Sequence, residues 1–177
     1  MGWRSVATAI LLNEWLGQRE SDILALKPWK VEAESLQLQQ GKRKRIVRLP
    51  VHVVPHLVAR LRGEAERPGA VASLEHLLLH DRTGQAWGEH TFRHIFAEVR
   101  ARAAQTMPDC ADLRFMELRH TAVTRLHEAG VDELGIAGIT GHSPRTVREI
   151  LDRHYLVRTE RAAERAFRLR LAAEAEQ

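Results

Sequence analysis

The chain has 177 residues, of which 44% are hydrophobic, so it is long enough for one compact domain with its own core. Its 27 lysines and arginines outnumber its 23 acidic residues, and the net charge of +4 favours a polyanionic partner only where positive side chains cluster. A single cysteine, Cys110, excludes an internal disulfide framework, and no apolar run approaches the roughly 18–20 residues of a membrane span, which predicts a soluble intracellular protein.

The N-terminal half of the chain predicts two helices and a hairpin. Ser5–Leu16 has the pattern of a helix that ends at Gly17, and a second, short helix is predicted at Ile23–Leu26. From Leu36 to Leu49 apolar and polar residues alternate on both sides of a turn, and Pro50 follows. This alternation is typical of an antiparallel hairpin.

The middle of the chain predicts a helix at Pro55–Arg62, a polar loop at Gly63–Ala70 and a candidate strand at Leu77–Leu79. Thr91–Ala104 is an amphipathic helix, for which Thr91 is the predicted N-cap.

The remainder is predicted to be helical, with helices at Met116–Ala129, Asp132–Ile139 and Pro144–Tyr155 and a charged tail helix from Thr159. No internal repeat or domain boundary is visible, so residues 1–177 are interpreted as one domain. The predicted fold class is mainly α with a small antiparallel β-sheet, an α+β arrangement.

Tyr155, the only tyrosine of the chain, follows a segment that is rich in arginine and histidine. A phenol that attacks a phosphodiester needs cations around the phosphate, because phosphoryl transfer concentrates negative charge on the non-bridging oxygens. His142 precedes a helix whose predicted N-cap is Ser143 and whose first residue is Pro144, and the free N–H groups of a helix N-terminus suit a phosphate. These residues indicate metal-free cleavage of a nucleic-acid strand.

The segments Leu118–Gly130, Ile139–Ser143 and His154–Tyr155 resemble the catalytic core of the tyrosine site-specific recombinases, the phage integrase family. The N-terminal half resembles the same family independently. Gly17–Leu26 is similar to the segment that carries the first active-site arginine, and Gln39–Lys42 is similar to the hairpin that carries the catalytic lysine. The resemblance covers roughly Val6 to Phe167.

The resemblance implies a role for five residues. Tyr155 attacks the scissile phosphate and forms a 3′-phosphotyrosyl intermediate, while Arg19 and Arg119 hold the non-bridging oxygens. Lys42 protonates the leaving 5′ oxygen, and His142 donates to the phosphate. Religation reverses these steps, so no ATP, metal or other cofactor is expected.

Met116 departs from the family pattern, which usually has a proton-transferring histidine three residues before the second arginine. A thioether cannot transfer a proton, and general acid–base help is worth roughly 10²–10⁴ in rate. The substitution therefore predicts reduced activity, or marks the chain as a remnant of a decaying prophage gene.

Further residues are candidates for supporting or DNA-binding roles. His120 and His154 adjoin catalytic positions and either support them or serve the structure alone. The assignment of Lys42 has an alternative, because several adjacent charged residues in a turn are by default only exposed to solvent. Lys44, or a shifted strand register, could serve instead. No metal site is expected. The predicted DNA-binding residues are Lys42, Arg43, Lys44, Arg45 and Arg145.

The resemblance also implies the partners. Duplex DNA is the expected substrate, bound by a tetramer in which a tail helix, at about residues 159–177, packs on a neighbour; without DNA a monomer is expected. The family's N-terminal core-binding domain is expected to be absent from this chain. A cytoplasmic, nucleoid-associated protein of bacterial or phage origin is the expected setting.

Two other interpretations remain at this point. The helices from Thr121 to Ile150 also match a helix-turn-helix DNA-binding protein without catalysis, for which Arg19, Lys42 and a unique tyrosine would be unnecessary. A type IB topoisomerase-like enzyme would share the chemistry and relax supercoils instead of recombining sites.

Overall fold

A computed structural model of the protein describes residues 2–28, 35–41, 45–67, 75–154 and 160–175. The mainly helical architecture with a small antiparallel sheet is confirmed. The helices within the described residues are α1 (Arg4–Leu16), α2 (Glu20–Leu24), α3 (Pro55–Ala65), α4 (Glu89–Ala103), α5 (Glu117–Glu128), α6 (Glu133–Thr140), α7 (Pro144–His154) and α8 (Glu160–Ala175), and the strands are β1 (Leu36–Gln40) and β2 (Arg45–Leu49).

The predicted hairpin is confirmed. Strands β1 and β2 pair antiparallel, with Leu36 opposite Leu49 and Gln40 opposite Arg45. Side chains of β1 alternate between buried and exposed, as the period of two in the sequence requires. Gln40 therefore points into the protein although it is polar, and it lies next to the turn that would carry Lys42.

The hydrophobic core has two parts, and α5 contributes to both. The larger cluster surrounds α1 and includes Leu118 of α5, together with residues of the hairpin, α3 and α4. The smaller cluster lies between α5, α6 and α7 and includes Val123 and Val147. Arg119 follows Leu118 directly, so its backbone is held between the two clusters.

Two helices end at glycines whose backbone is in the left-handed region, shortly before Arg19 and His142. Helix α1 ends at Gly17, as predicted, with a φ of 58°, and α6 ends at Gly141 with a φ of 70°. A Cβ atom at Gly17 would lie 2.7 Å from Thr140 Cγ2, so only glycine allows the ends of α1 and α6 to approach this closely. This contact brings the segment after α1 next to the segment after α6.

Two predicted helix starts are wrong. Helix α4 begins at Glu89 after Gly88, so Thr91 is not its N-cap but lies inside its first turn; the Phe92 N–H already donates to the Gly88 carbonyl at 2.9 Å. Helix α2 begins at Glu20, earlier than the predicted Ile23. In both cases an acidic residue starts the helix, where a negative charge is favourable.

The polar loop predicted from Gly63 is also wrong at its start, because α3 continues to Ala65. Glu64 is completely buried there and accepts hydrogen bonds from Arg4, Thr8 and Arg67 at 3.2, 2.7 and 2.9 Å. This carboxylate replaces its lost hydration with three donors, an arrangement that local sequence does not reveal.

The candidate strand at Leu77–Leu79 does not form: Leu79 makes a single bridge to Ala86, and the Leu77 N–H donates to the Leu26 carbonyl. None of the described helices is long and apolar enough to cross a membrane.

Candidate active site

Arg119 is the buried centre of the site. It lies in the first turn of α5, and its side chain is 7% exposed. The start of α5 is tied to α1, because Asn13 Nδ2 donates to the Phe115 carbonyl at 3.1 Å. Arg119 Nε donates to His142 Nε2 at 2.9 Å, whereas Nη1 is buried with no hydrogen-bond partner in the described chain. An unsatisfied buried donor of this kind is expected where a ligand binds.

Arg19 immediately precedes α2 and is paired with a carboxylate of that helix. Arg19 Nη1 lies 3.6 Å from Asp22 Oδ2, which is an ion-pair distance but too long for a hydrogen bond. The Asp22 side chain is 4% exposed, and its Oδ1 accepts the Gly41 N–H at 2.9 Å. Asp22 therefore links Arg19 to the hairpin turn, one residue before Lys42.

His142 lies between α6 and α7, with both ring nitrogens engaged. Nε2 accepts from Arg119, and Nδ1 lies 2.9 Å from the Thr140 hydroxyl oxygen. The predicted capping of α7 is confirmed, since Ser143 Oγ accepts the Thr146 N–H at 3.1 Å. The start of α7 is thus fixed directly beside His142.

The electrostatics show that these groups share one site. Burial and then the charge of Arg19 lower the pKa of Arg119 to about 10, and Asp22 opposes this shift. Burial, followed by the charges of Arg119, His120 and Arg19, lowers the pKa of His142 to about 3. At neutral pH the site therefore holds two guanidinium cations and a neutral imidazole, with one carboxylate between them, and it can receive a further anion.

Two buried glutamines brace the three segments that carry the site. Gln18 Nε2 donates to the Leu16 and Ile139 carbonyls at 2.8 and 2.6 Å, and Gln40 Nε2 donates to Gln18 Oε1 at 3.0 Å. A Cβ atom at Gly141 would fall 1.8 Å from Gln40 Nε2, so the glutamine packs where only glycine leaves room. The brace joins the residue before Arg19, the end of β1 and the end of α6.

Three of the predicted site residues, Arg19, Arg119 and His142, are brought together by the fold. Met116 lies at the start of α5 and is 58% exposed. His120 is half-buried, and its charge acts on the pKa of His142. Arg145 is exposed and donates to Glu149 on its own helix at 2.9 Å, so its predicted role in DNA binding stays a prediction.

The other predicted site residues lie outside the described part of the chain. These are Lys42, Arg43, Lys44 and Tyr155, and the side chains of Arg45 and His154. The neighbouring backbone is described up to Gly41 on one side and to the end of α7 at His154 on the other.

Sequence reasoning did not identify Asp22, Gln18, Gln40 and Thr140. Asp22 had one available signal, its position three residues after Arg19 at a helix start, where the two side chains share a face. Among the described residues, no group of three or more histidine, cysteine or acidic side chains is arranged to hold a metal ion.

Comparison with known proteins gives one family match. A model of the phage integrase family matches residues 4–154. No curated protein sequence matches the chain significantly.

Several solved structures are similar in fold. A lambda integrase dimer bound to a COC′ core site is 19% identical with a TM-score of 0.62, and the match covers 88% of this chain and 54% of that one. The XerH site-specific recombinase bound to palindromic difH substrate, a post-cleavage complex, is 21% identical with a TM-score of 0.60, covering 92% and 47%. The Tn1549 transposon integrase in complex with a circular intermediate DNA is 16% identical with a TM-score of 0.67, covering 90% and 57%. The chain thus spans about half the length of these structures.

Proposed function

The chain belongs to the phage integrase family, whose model matches residues 4–154, and from this premise we propose that it is a tyrosine recombinase that cuts and rejoins duplex DNA at specific sites. The observation that carries the proposal is the convergence of Arg19 and Arg119 beside His142, where Nη1 of each arginine is buried with no hydrogen-bond partner among the described residues. A phosphodiester supplies the oxygens that such a pair of guanidinium groups would bind.

In the proposed reaction, the deprotonated phenol of Tyr155 attacks the phosphorus atom. A bond to the 3′-phosphate forms and the bond to the 5′ oxygen breaks, while Lys42 gives its proton to that oxygen. Arg19 and Arg119 hold the non-bridging oxygens, on which the negative charge grows. Rejoining runs the same steps in reverse with a partner strand, so the number of phosphodiester bonds is conserved.

The surroundings of Lys42 and Tyr155 are compatible with these roles. Asp22 holds the backbone of Gly41, directly before Lys42, and α7 starts at the His142 segment and continues to the residue before Tyr155. His142 is proposed to face the phosphate beside Arg119. Since its Nε2 accepts from Arg119 in the free protein, a donor role requires this bond to be exchanged.

A nicked suicide substrate tests the function, because loss of a short 5′-hydroxyl strand traps the covalent intermediate. We expect an adduct that resists denaturation in the wild type and is absent from Tyr155→Phe. Since Tyr155 is the only tyrosine, peptide mapping of the adduct identifies the nucleophile without ambiguity. Arg119→Lys, which keeps the charge but loses the planar fork, should slow adduct formation by about 10²–10³.

The test also decides between the alternatives. A non-catalytic DNA-binding protein gives no adduct under any condition, and it would have no use for the buried cluster of Arg19, Arg119 and His142. A type IB topoisomerase-like enzyme forms the adduct and relaxes supercoiled plasmid, but does not exchange strands between two sites.

We propose duplex DNA as the partner, bound chiefly through phosphates. The hairpin residues Lys42, Arg43, Lys44 and Arg45 and the exposed Arg145 are the proposed contacts. Phosphate contacts release counterions, so the logarithm of the binding constant should fall linearly with that of the salt concentration. A titration between about 50 and 200 mM salt checks this expectation, and binding that does not change with salt would contradict it.

We further propose that residues 1–177 act as a catalytic domain that assembles into a tetramer on DNA and is monomeric without it. The tail helix α8 is the proposed contact between neighbours. The proposed setting is the nucleoid of a bacterial cytoplasm, where a DNA-rejoining enzyme meets its substrate.

A further inference from the structure

Thr140 is a buried hydroxyl in contact with the site, and neither the proposed chemistry nor the family match gives it a role. It is the last residue of α6, and its side chain is completely buried. Thr140 Oγ1 lies 2.8 Å from the Ile136 carbonyl and 2.9 Å from His142 Nδ1, and it accepts the His142 backbone N–H at 3.4 Å.

The contact of His142 with Arg119 indicates which ring nitrogen carries the proton. Arg119 is a cation at neutral pH, so its Nε always has a hydrogen to donate. His142 Nε2, 2.9 Å away, must therefore accept. In a neutral imidazole one nitrogen donates and the other accepts, so the proton of His142 lies on Nδ1.

The threonine side is consistent with this assignment. A hydroxyl has one proton, and the only acceptor among the groups around Thr140 Oγ1 is the Ile136 carbonyl once Nδ1 carries a hydrogen. Thr140 then donates to Ile136 and accepts from Nδ1. If Thr140 donated to Nδ1 instead, Nε2 would carry a hydrogen that faces the Arg119 Nε–H. This one arrangement gives an acceptor to each hydrogen that lies between the Ile136 carbonyl and Arg119 Nε.

We propose that Thr140 is a positioning residue, which fixes the proton of His142 on Nδ1 and so makes Nε2 the acceptor that orients Arg119 toward the scissile phosphate. The part that concerns the phosphate rests on the proposed function. The Nε of Arg119 is occupied by the imidazole, and Nη1, which has no hydrogen-bond partner among the described residues, remains for a phosphate oxygen. His142 thereby acts in the free protein as a support for Arg119.

The neutral charge state of the His142 imidazole is consistent with this arrangement of hydrogen bonds. The groups whose charges act on it are Arg119 and His120 of α5 and Arg19 before α2, and all of them disfavour a second proton on the ring. The imidazole stays neutral across the physiological range, so its tautomer, and not its charge, is what the Thr140 hydroxyl controls.

Long-range ¹H–¹⁵N correlation spectra of the imidazole rings test the inference, because the two tautomers give different patterns. The His142 signals are assigned by their loss in His142→Gln. We expect Nδ1–H in the wild type. Thr140→Val keeps the shape but leaves the Nδ1 proton without its acceptor, so a population with Nε2–H, in which the bond from Arg119 Nε is broken, should appear, and adduct formation on the suicide substrate should slow by about tenfold or more.

Thr140→Ser retains the hydroxyl and should restore both the tautomer and the rate. Thr124→Val is the matched control, since Thr124 likewise donates its hydroxyl proton to a carbonyl of its own helix, that of Thr121 on α5, at 3.0 Å. It should change neither readout.

Two results would overturn the inference. The first is a wild-type spectrum with the proton on Nε2, which decides the matter even if Thr140→Val does not fold. The second is a folded Thr140→Val, or Thr140→Ala in its place, that retains Nδ1–H and the wild-type rate. If the wild type has Nδ1–H but forms no adduct, the proposed function fails while the tautomer assignment is supported.

Discussion

Two guanidinium groups in one site repel each other, and the buried carboxylate of Asp22 offsets that repulsion. Its Oδ1 is held by the Gly41 N–H, while Oδ2 pairs with Arg19 at 3.6 Å by charge alone. Arg19 can therefore turn toward a phosphate without breaking a hydrogen bond. Arg119, whose Nε is bonded to His142, is the more rigid of the two arginines.

A substitution at Met116 is expected to increase the rate of DNA cleavage. Its side chain is exposed at the start of α5, so a histidine there would meet no packing obstacle and would restore a group able to transfer a proton. We expect Met116→His to raise the single-turnover rate on the suicide substrate by about 10² without changing the thermal midpoint. Met107→His, at another exposed methionine, is the control and should leave the rate unchanged. An unchanged rate in Met116→His would mean that another group already transfers the proton.

His142 makes stability depend on pH. Its pKa is about 3 in the folded protein and near 6.5 when unfolded, so the unfolded chain takes up a proton between these values that the folded chain does not. Its contribution to stability is complete above pH 6.5 and is lost as the pH falls toward 3. In urea denaturation, the difference in unfolding free energy between wild type and His142→Gln should narrow from pH 7 to pH 4.5. A difference that stays constant over this pH range would contradict the prediction.

The catalytic candidates Arg19, Arg119 and His142 were predictable because their residue types and spacing follow a family pattern. Four supporting residues were not predictable: Asp22, Gln18, Gln40 and Thr140. A polar residue at such a position is interpreted as a surface residue unless its distant partner is known. Gln18, for example, is buried because its amide meets the Ile139 carbonyl, 121 positions away.

At the scale of elements, the ends of α1, β1 and α6 are joined by the Gln18–Gln40 brace. Each of these ends precedes a site residue by two or three positions, so the brace sets the distances between segments that are far apart in sequence. Secondary structure alone would not fix the distances between these segments. A two-stranded hairpin in particular has little stability of its own and needs contacts with the helices to hold its position.

Replacement of one glutamine tests the brace. Gln40→Leu removes the donor to Gln18 Oε1 and leaves a buried oxygen unsatisfied, which should cost about 1–3 kcal/mol in urea denaturation. Gln39→Leu changes the preceding residue, which lies on the exposed face of the same strand, and should change the unfolding free energy by less than about 0.5 kcal/mol. Equal losses in both variants would show that the brace contributes nothing specific.

Element types were predicted better than element boundaries. The long periodic helices and the hairpin follow from side-chain pattern, which local sequence contains. The error at Thr91 is a local one, since the helix starts at the acidic Glu89, whereas the error at Gly63 arises from a tertiary contact. Gly63 stays helical because the absence of a side chain lets the Arg4 guanidinium pass, and Arg4 pairs with the buried Glu64 beside it.

At the scale of the whole molecule, α8 presents an unusual surface. Phe167 and Leu171 are exposed on one face of this helix, at spacing i and i+4. A helix with such a face typically packs on a partner, in agreement with the proposed contact between neighbouring protomers.

Substitutions on α8 test that contact. Phe167→Ser combined with Leu171→Ser should leave adduct formation intact but reduce complexes with more than one protomer on DNA, as measured by light scattering after size exclusion. The double variant Glu164→Ser and Arg168→Ser, which removes an exposed ion pair of the same helix, is the control. Assembly that is unaffected by the loss of both apolar side chains would exclude this face as the contact.

The division of the core into two clusters has a consequence for motion. Arg19 is anchored to the larger cluster, whereas α6 and α7, which flank His142 and lead to Tyr155, rest on the smaller one. Cooperative opening costs less where fewer apolar side chains are buried, so amide hydrogens of α6 and α7 should exchange with deuterium sooner than those of α1. The half of the protein that leads to the nucleophile can then rearrange between rounds of strand transfer while the other half stays intact.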